Sequence, residues 1–168
     1  EGIDPALNPI GTGWTLQGES KRPMVSMKYE YGLFLKADGT VYEWENGISE
    51  IPEKVDGLDH IIQVSAGNSH GLALKADGTV WAWGTNSYGQ LGNGTTSTSL
   101  TPVKVQSGGS DLTNVVAIAA GSYHSMALKS DGSIWSWGGN SSGELGDGTV
   151  TKKTTPVQIS ASAGSEFT

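Results

Sequence analysis

The chain of 168 residues contains no cysteine, few cationic side chains and no long apolar run. The lack of cysteine excludes a disulfide framework, a thiol nucleophile and every thiolate zinc site. With 10 Lys and Arg against 17 Asp and Glu, the net charge of −7 argues against nucleic acid and anionic membranes as partners. No apolar stretch approaches the roughly 20 residues of a membrane-spanning helix, so membrane insertion is not expected.

Glycine is the most informative residue that is present. It accounts for 25 of 168 residues, about twice its usual share, and six tryptophans accompany it. This much glycine favours many tight turns, and no stretch spaces its apolar residues with the period of a helix. The composition therefore predicts an all-β fold built from short strands.

Three segments of the chain align with one another without gaps. They are SMKYEYGLFLKADGTVYEWE at 26–45, SAGNSHGLALKADGTVWAWG at 65–84 and AAGSYHSMALKSDGSIWSWG at 119–138. Their shared Asp-Gly pair begins at Asp38, Asp77 and Asp131, so the intervals are 39 and 54 residues. The first repeat is degenerate, because it is shorter and has Lys28 and Tyr31 where the others have glycine and histidine.

Each repeat predicts four strands. A β-branched run such as 60–65 comes first, and an alternating strand such as HGLALK at 70–75 follows. The Asp-Gly pairs predict tight hairpin turns, because these residues tolerate positive φ. A tryptophan strand, a long glycine-rich loop and a fourth strand just after Pro102 or Pro156 complete the repeat. Four antiparallel strands at a period of about 50 residues predict the blades of a β-propeller.

The most regular positions of the repeat are expected to be structural. They are Gly67, His70, Asp77, Gly78, Trp81 and Trp83 in the second repeat, and Gly121, His124, Asp131, Gly132, Trp135 and Trp137 in the third. We expect the tryptophans to form the core between blades, and the histidines to be half-buried with hydrogen bonds to loop backbone. A carbohydrate platform of tryptophans and a histidine metal site are the alternatives, and the spacing favours neither.

The motif G-x-x-H-x-x-A-L-K-x-D-G-x-x-W-x-W-G-x-N-x-x-G-x-L-G-x-G-T…T-P-V resembles the regulator of chromosome condensation repeat. The resemblance covers about residues 24–159, twice nearly complete and once in part. It implies a β-propeller, typically with about seven blades. Members of the family include a guanine-nucleotide exchange factor, an inhibitor of beta-lactamase and bacterial surface proteins. The resemblance therefore implies the fold more closely than the function.

Three blades are fewer than the roughly four to eight that close a propeller. We therefore expect a partial propeller, or a ring that other copies or other chains complete. The repeats are expected at 24–59, 60–111 and 112–160. Residues 1–23 are interpreted as an N-terminal segment with a candidate closing strand, and residues 161–168 as a cloning remnant.

Loops at one end of the predicted sheets are expected to carry the binding residues. These residues are Asn68, Asn86, Tyr88, Ser122 and Tyr123, because exposed tyrosines are common contact anchors. No histidine, hydroxyl or carboxylate side chains combine into a catalytic constellation in the sequence. We expect neither a metal nor a cofactor.

The sequence thus predicts a non-catalytic protein–protein interaction module within a larger bacterial protein that is secreted or lies at the cell surface. Its partner is expected to be another protein, with self-association or pairing to further propeller repeats. The alternatives are a repeat unit that assembles into a ring, an inhibitor of a secreted enzyme and, with least support, a guanine-nucleotide exchange factor. The chain lacks a basic tail for chromatin, which argues against the last alternative.

Overall fold

The computed structural model describes residues 23–45 and 51–159, and these contain fourteen β-strands and no helix. All strands except β9 and β10 belong to three antiparallel four-stranded sheets. Each sheet keeps the chain order of its strands, as the blade of a propeller does. The predicted all-β fold with three four-stranded blades in an open, partial propeller is therefore confirmed. Within these ranges no helix is long and apolar enough to cross a membrane.

The strands follow one another in blade order. Blade 1 consists of β1 Met24–Lys28, β2 Tyr31–Leu35, β3 Val41–Glu45 and β4 Glu53–Lys54. Blade 2 consists of β5 Ile61–Ala66, β6 His70–Lys75, β7 Val80–Gly84 and β8 Ser99–Lys104. After a hairpin of β9 Gln106–Ser107 and β10 Ser110–Asp111, blade 3 consists of β11 Val115–Ala120, β12 His124–Lys129, β13 Ile134–Gly138 and β14 Lys153–Ile159. The expected closing strand before residue 23 and the expected remnant at 161–168 lie outside the described residues.

The fourth strands of blades 2 and 3 begin earlier than the sequence predicts. Strands β8 and β14 start three residues before Pro102 and Pro156, so the prediction that they begin after the prolines is wrong. Both prolines lie where the pairing with the third strand shifts register, and both strands are the outer edges of their sheets. A proline is tolerated at such positions because the ladder needs no amide hydrogen there.

Two apolar clusters lie between the blades, one on each side of blade 2. Side chains of β6 and β7 alternate between the clusters, as strand geometry requires. Leu72 and Ala82 pack towards blade 3, whereas Ala73 and Trp83 pack towards blade 1. Blade 2 is therefore apolar on both faces, and its small residues let the neighbouring blade approach.

The tryptophans differ in burial along the third strand of each blade. Trp83 and Trp137 are fully buried between blades, while Trp81 and Trp135 are half-buried at the margins of the clusters. Gly71 makes room for the first of these rings, because a Cβ at Gly71 would lie only 2.5 Å from a ring carbon of Trp83. The buried indoles are the largest side chains of the inter-blade core.

An Asp-Gly turn joins the second and third strands of each blade. In blade 2 the amide of Gly78 donates to the carbonyl of Lys75 at 3.0 Å. The carboxylate of Asp77 accepts from the amide and the hydroxyl of Thr79 at 2.9 and 2.6 Å, and these bonds lower the pKa of Asp77. Gly78 has a φ of +81°, in the left-handed region that favours glycine.

Two glycines provide a matched test of this turn. Gly78→Ala and Gly132→Ala place a Cβ on backbones with φ of +81° and +83°, which costs about 1–2 kcal/mol in each case. At Gly132 the Cβ meets no atom within 4 Å, whereas at Gly78 it lies 3.2 Å from the backbone nitrogen of Asn114. Urea unfolding should therefore show the larger loss of unfolding free energy for Gly78→Ala. Equal losses would contradict a tight contact with Asn114.

Candidate functional site

Two loops of each blade emerge at the same end of its sheet, and we call this end the loop face. The loops are 67–69 and 85–98 in blade 2, and 121–123 and 139–152 in blade 3. On the loop face Tyr88 and Tyr123 come from adjacent blades, with ring centroids 5.0 Å apart and planes tilted by 42°. The two tyrosines are 46% and 47% exposed, so the chain presents an aromatic pair to solvent.

The tyrosine pair forms one wall of a cleft between blades 2 and 3. The cleft has a volume of about 360 Å³. Glu144, Val150 and Lys152, all on the long loop of blade 3, also line it and are exposed. The cleft therefore combines an aromatic wall, an aliphatic side chain and charges of both signs.

Hydrogen bonds within the long loops hold this surface in place. The side-chain amide of Asn86 donates to the carbonyl of Thr95 at 3.0 Å, and its oxygen accepts from the amide of Leu91 at 2.9 Å. Asn140 makes the corresponding bonds in the long loop of blade 3. Tyr88 is thus carried by a loop that needs little further ordering to make a contact.

The residues expected at a contact surface occupy different environments. Tyr88 and Tyr123 are exposed, while Asn68 and Ser122 are half-buried. The backbone amide of Asn68 donates to the backbone carbonyl of Ser122 at 3.3 Å. Asn86 has no exposed surface, and its side chain closes its own loop. The structure therefore removes Asn86 from the candidate surface, because its hydrogen-bonding groups are already used within the protein.

Four exposed residues of the loop face are not among those expected from the sequence. Glu144, Val150 and Lys152 line the same cleft as the tyrosines, and Tyr29 lies in the corresponding short loop of blade 1. At 79%, Tyr29 is the most exposed of the five tyrosines. The spacing of the repeat does not reveal these residues, because they lie in loops that differ from one repeat to the next. Exposed aromatic character was the signal that could have identified Tyr29.

A buried hydrogen-bond network joins blades 2 and 3. The hydroxyl of Ser125 and the indole of Trp137 both donate to the carbonyl of Gln90, each at 2.9 Å. His70 Nε2 lies 3.1 Å from Ser125 Oγ and acts as the donor, because that hydroxyl donates elsewhere. Burial lowers the pKa of His70 to about 4, so the imidazole is neutral at neutral pH.

Between blades 1 and 2, a carboxylate accepts the hydrogen bond of the buried indole. The first repeat is 11 residues shorter between its tryptophan strand and its proline. Here Glu43 Oε2 accepts from the indole of Trp83 and from the hydroxyl of Tyr31, both at 2.7 Å. Burial, reinforced by the Glu43 carboxylate, raises the pKa of Tyr31. The degenerate repeat therefore satisfies the buried indole with a side chain, whereas the next interface uses a loop carbonyl.

The polar groups of the described residues favour a structural role over a chemical one. Within residues 23–45 and 51–159 no three His, Asp or Glu side chains are grouped to hold a metal ion. His70 and Ser125 resemble a base and a nucleophile, but neither side chain has exposed surface. Because the Ser125 hydroxyl also donates to a backbone carbonyl, this pair holds two blades together.

The family of the chain follows from its repeats. A family model described as the regulator of chromosome condensation (RCC1) repeat matches residues 77–128 and 131–168. A second model with the same description matches residues 61–90 and 115–144. The chain belongs to the RCC1-repeat family. The resemblance drawn from the motif is therefore confirmed.

Several RCC1-repeat proteins are similar to this chain over most of its length. The E3 ubiquitin-protein ligase HERC2 of Homo sapiens is 33% identical over 145 residues, which cover 79% of this chain and 3% of HERC2. The ultraviolet-B receptor UVR8 of Arabidopsis thaliana is 36% identical over 151 residues, which cover 81% of this chain and 33% of UVR8. This chain therefore spans a third or less of these curated relatives.

A solved structure supports the fold independently. Human WBSCR16 has a TM-score of 0.70 with this chain at 24% sequence identity, over 82% of this chain and 39% of WBSCR16. At this identity the likeness shows the fold alone. It agrees with three blades of an RCC1-type propeller.

The buried imidazole predicts a specific pH dependence of stability. Because the pKa of His70 is about 4 in the folded chain against 6.5 for a free imidazole, the unfolded chain binds more protons between these values. Stability is therefore kept above pH 6.5 and lost as the pH falls towards 4, by at most about 1.4 kcal/mol per pH unit. His70→Gln, which keeps an N–H donor near Ser125, should flatten the unfolding free energy against pH.

The control for this experiment is His60→Asn. His60 is an exposed histidine 3.3 Å from the Asp59 carboxylate, with a φ of +53° that asparagine tolerates, so its replacement should not remove the loss of stability that His70 causes. A slope that remains in His70→Gln comes from His124, whose pKa burial also lowers, and at the acid end from carboxylates such as Glu144 and Asp147, whose pKa hydrogen bonds hold low. An unchanged slope in His70→Gln would contradict the assignment to His70.

The carboxylate between blades 1 and 2 generates a second stability test. Glu43→Leu removes the acceptor of two donors, the indole of Trp83 and the hydroxyl of Tyr31. Each unpaired buried donor costs about 1–3 kcal/mol, so urea unfolding should show a loss of about 2–6 kcal/mol. Glu43→Gln keeps an acceptor oxygen and should lose less. Equal losses would show that the acceptor is not what stabilises this interface.

Proposed function

We propose that this chain is a non-catalytic protein-interaction module that binds a partner protein through the cleft of the loop face. The observation that carries the proposal is the exposed pair of Tyr88 and Tyr123 on two hydrogen-bonded loops. Tyrosines are enriched among the residues that dominate binding energies. A side chain held by a rigid loop also loses little conformational entropy when it is covered.

The charges around the cleft support a protein as the ligand. Glu144 accepts from the amide of Ser142 at 2.7 Å, and bonds to its own and the Ser142 amide keep its pKa low, so it is ionised at neutral pH. Lys152 Nζ donates to the carbonyl of Ser87 at 3.2 Å, which ties the two long loops together. An apolar centre with a charged rim is the usual arrangement of a protein interface. A partner that places an apolar side chain between Tyr123 and Val150 and a cation beside Glu144 fits this cleft.

The family relationship is compatible with this proposal without specifying it. The names of the relatives describe much longer proteins, and the RCC1 repeat is the part that this chain shares with them. A propeller blade array provides a rigid scaffold on which loops are free to vary. Enzyme inhibition, nucleotide exchange, a bacterial origin and an extracellular or cell-surface location stay predictions from the sequence, as does the exclusion of nucleic acid.

The proposal predicts where a partner cross-links. The photoreactive residue p-benzoylphenylalanine, introduced at Tyr123, should capture a protein partner in cells of the source organism. The same residue introduced at Val116 should not capture that protein, because Val116 is an exposed apolar residue near the opposite end of blade 3. Capture of nucleic acid, or equal capture from both positions, would contradict the proposal.

Titration of the captured protein then tests the tyrosines directly. Tyr88→Ala and Tyr123→Ala should each weaken binding by about tenfold or more, which corresponds to at least about 1.4 kcal/mol. Val116→Ala is the matched control and should change the affinity by less than about twofold. Binding that neither tyrosine variant weakens would place the interface elsewhere.

A further inference from the structure

Tyr88 and Tyr123 are the one pair of tyrosines whose rings are in contact. All five tyrosines lie within the described residues, so this comparison covers every tyrosine of the chain. The ring centroids are 5.0 Å apart and the planes are tilted by 42°, so the rings are not stacked face to face. At this separation the ring edges, which carry the carbons ortho to the hydroxyl groups, lie within van der Waals contact.

An oxidant in solution can reach both rings of this pair, because about half of each side chain is exposed. Two other tyrosines are protected. Tyr31 is buried and donates its hydroxyl to Glu43 at 2.7 Å. Tyr42 is half-buried, and the ammonium of Lys36 lies 4.2 Å from its ring centroid, where a positive charge opposes the removal of an electron from the ring. The paired rings are therefore both accessible and adjacent.

Backbone hydrogen bonds keep the two rings together. The amide of Tyr88 donates to the side-chain oxygen of Gln90 at 3.0 Å, and the carbonyl of Tyr123 accepts from the amide of Gly139 at 2.7 Å. Groups joined by a short flexible linker already meet at an effective concentration of about millimolar, and rigid loops hold them closer still. At micromolar protein, a radical on one ring therefore meets its neighbour far more often than it meets another chain.

We propose that Tyr88 and Tyr123 form a site of oxidative cross-linking, at which a one-electron oxidant joins the two rings by a carbon–carbon bond. Each phenol loses one electron and one proton and becomes a phenoxyl radical. The two radicals couple at ortho carbons, and the hydrogens of those carbons move to the phenolic oxygens as the rings become aromatic again. Hydrogen peroxide, acting through a haem peroxidase, takes up the two electrons and two protons and is reduced to two molecules of water.

This bond joins two blades covalently in a chain that has no cysteine for a disulfide. It links the long loop of blade 2 to the short loop of blade 3, and strands β8 to β11 lie between the linked residues. A cross-link that closes such a segment constrains the unfolded chain, as a disulfide does. The oxidised chain should therefore unfold at a higher urea concentration than the untreated chain. The proposal requires only the two rings, so it is independent of whether the loop face binds a partner protein.

Treatment of the full chain at micromolar concentration with a haem peroxidase and hydrogen peroxide tests the proposal. Dityrosine fluorescence should appear while the chain stays at 17.5 kDa on a denaturing gel. Trypsin cuts after Lys75, Lys104 and Lys129, which leaves the two tyrosines on the separate peptides 76–104 and 105–129. Mass spectrometry should find these peptides joined, with two hydrogen atoms fewer than the separate peptides have together.

Three phenylalanine variants assign the bond to its residues. Tyr88→Phe and Tyr123→Phe keep the aromatic rings, so the fold should be kept, but each removes a hydroxyl that the coupling requires. Each should therefore lose the joined peptides. Tyr29→Phe is the matched control, because Tyr29 is more exposed than either ring of the pair and has no tyrosine ring in contact with it. The joined peptides and the shift of the urea midpoint should persist in this control and be lost in the other two variants.

Tyr29 also reports whether the oxidant has acted, because its tryptic peptide, 29–36, contains the most exposed tyrosine. Oxidation of this peptide while 76–104 and 105–129 stay separate overturns the proposal. Products found only between chains, or joined peptides that persist in Tyr123→Phe, overturn it as well. Repeating the assay with a photo-oxidised ruthenium tris(bipyridyl) complex and persulfate removes any dependence on access of the peroxidase. None of these outcomes changes the capture of a partner protein, so failure here is distinct from failure of the proposed function.

Discussion

The burial of one indole per inter-blade contact is the interaction on which the rest of this structure depends. Trp83 and Trp137 supply the largest buried side chains, and each brings an N–H that must find an acceptor between two blades. Gly71 provides the space that the first ring needs. The acceptor is a carboxylate, Glu43, at one contact and a loop carbonyl, that of Gln90, at the other. The glycine, histidine and tryptophan of the family motif therefore serve to pack one blade against the next.

The need of a buried indole N–H for an acceptor also connects the core with the loop face. The carbonyl of Gln90 that accepts from Trp137 belongs to the long loop that carries Tyr88. The loop is therefore anchored in the inter-blade core at one point and closed by Asn86 at another. This anchoring is why an exposed aromatic pair keeps a defined position, and it links stability to the candidate contact surface.

Sequence reasoning recovered the features that are local in the chain. The alternation of HGLALK predicted β6, and the Asp-Gly pairs predicted hairpins whose glycines have positive φ. Sequence reasoning was wrong where contacts with a neighbouring strand or loop set a strand boundary or the burial of a side chain. Strand β8 extends back beyond Pro102 because the pairing with β7 shifts register at that point. Asn86 looked like a loop residue free to bind, yet the loop folds around it and leaves it no exposed surface.

The sequence by itself determined the repeat, the all-β fold and the family, because period, alternation and turn chemistry are properties of neighbouring residues. Only the tertiary structure decided which residues meet across blades. The pairing of Tyr88 with Tyr123, the bond between His70 and Ser125 and the use of Glu43 as an acceptor join residues of different repeats. Their proximity depends on how one sheet stacks on the next, and no spacing along the chain encodes that geometry.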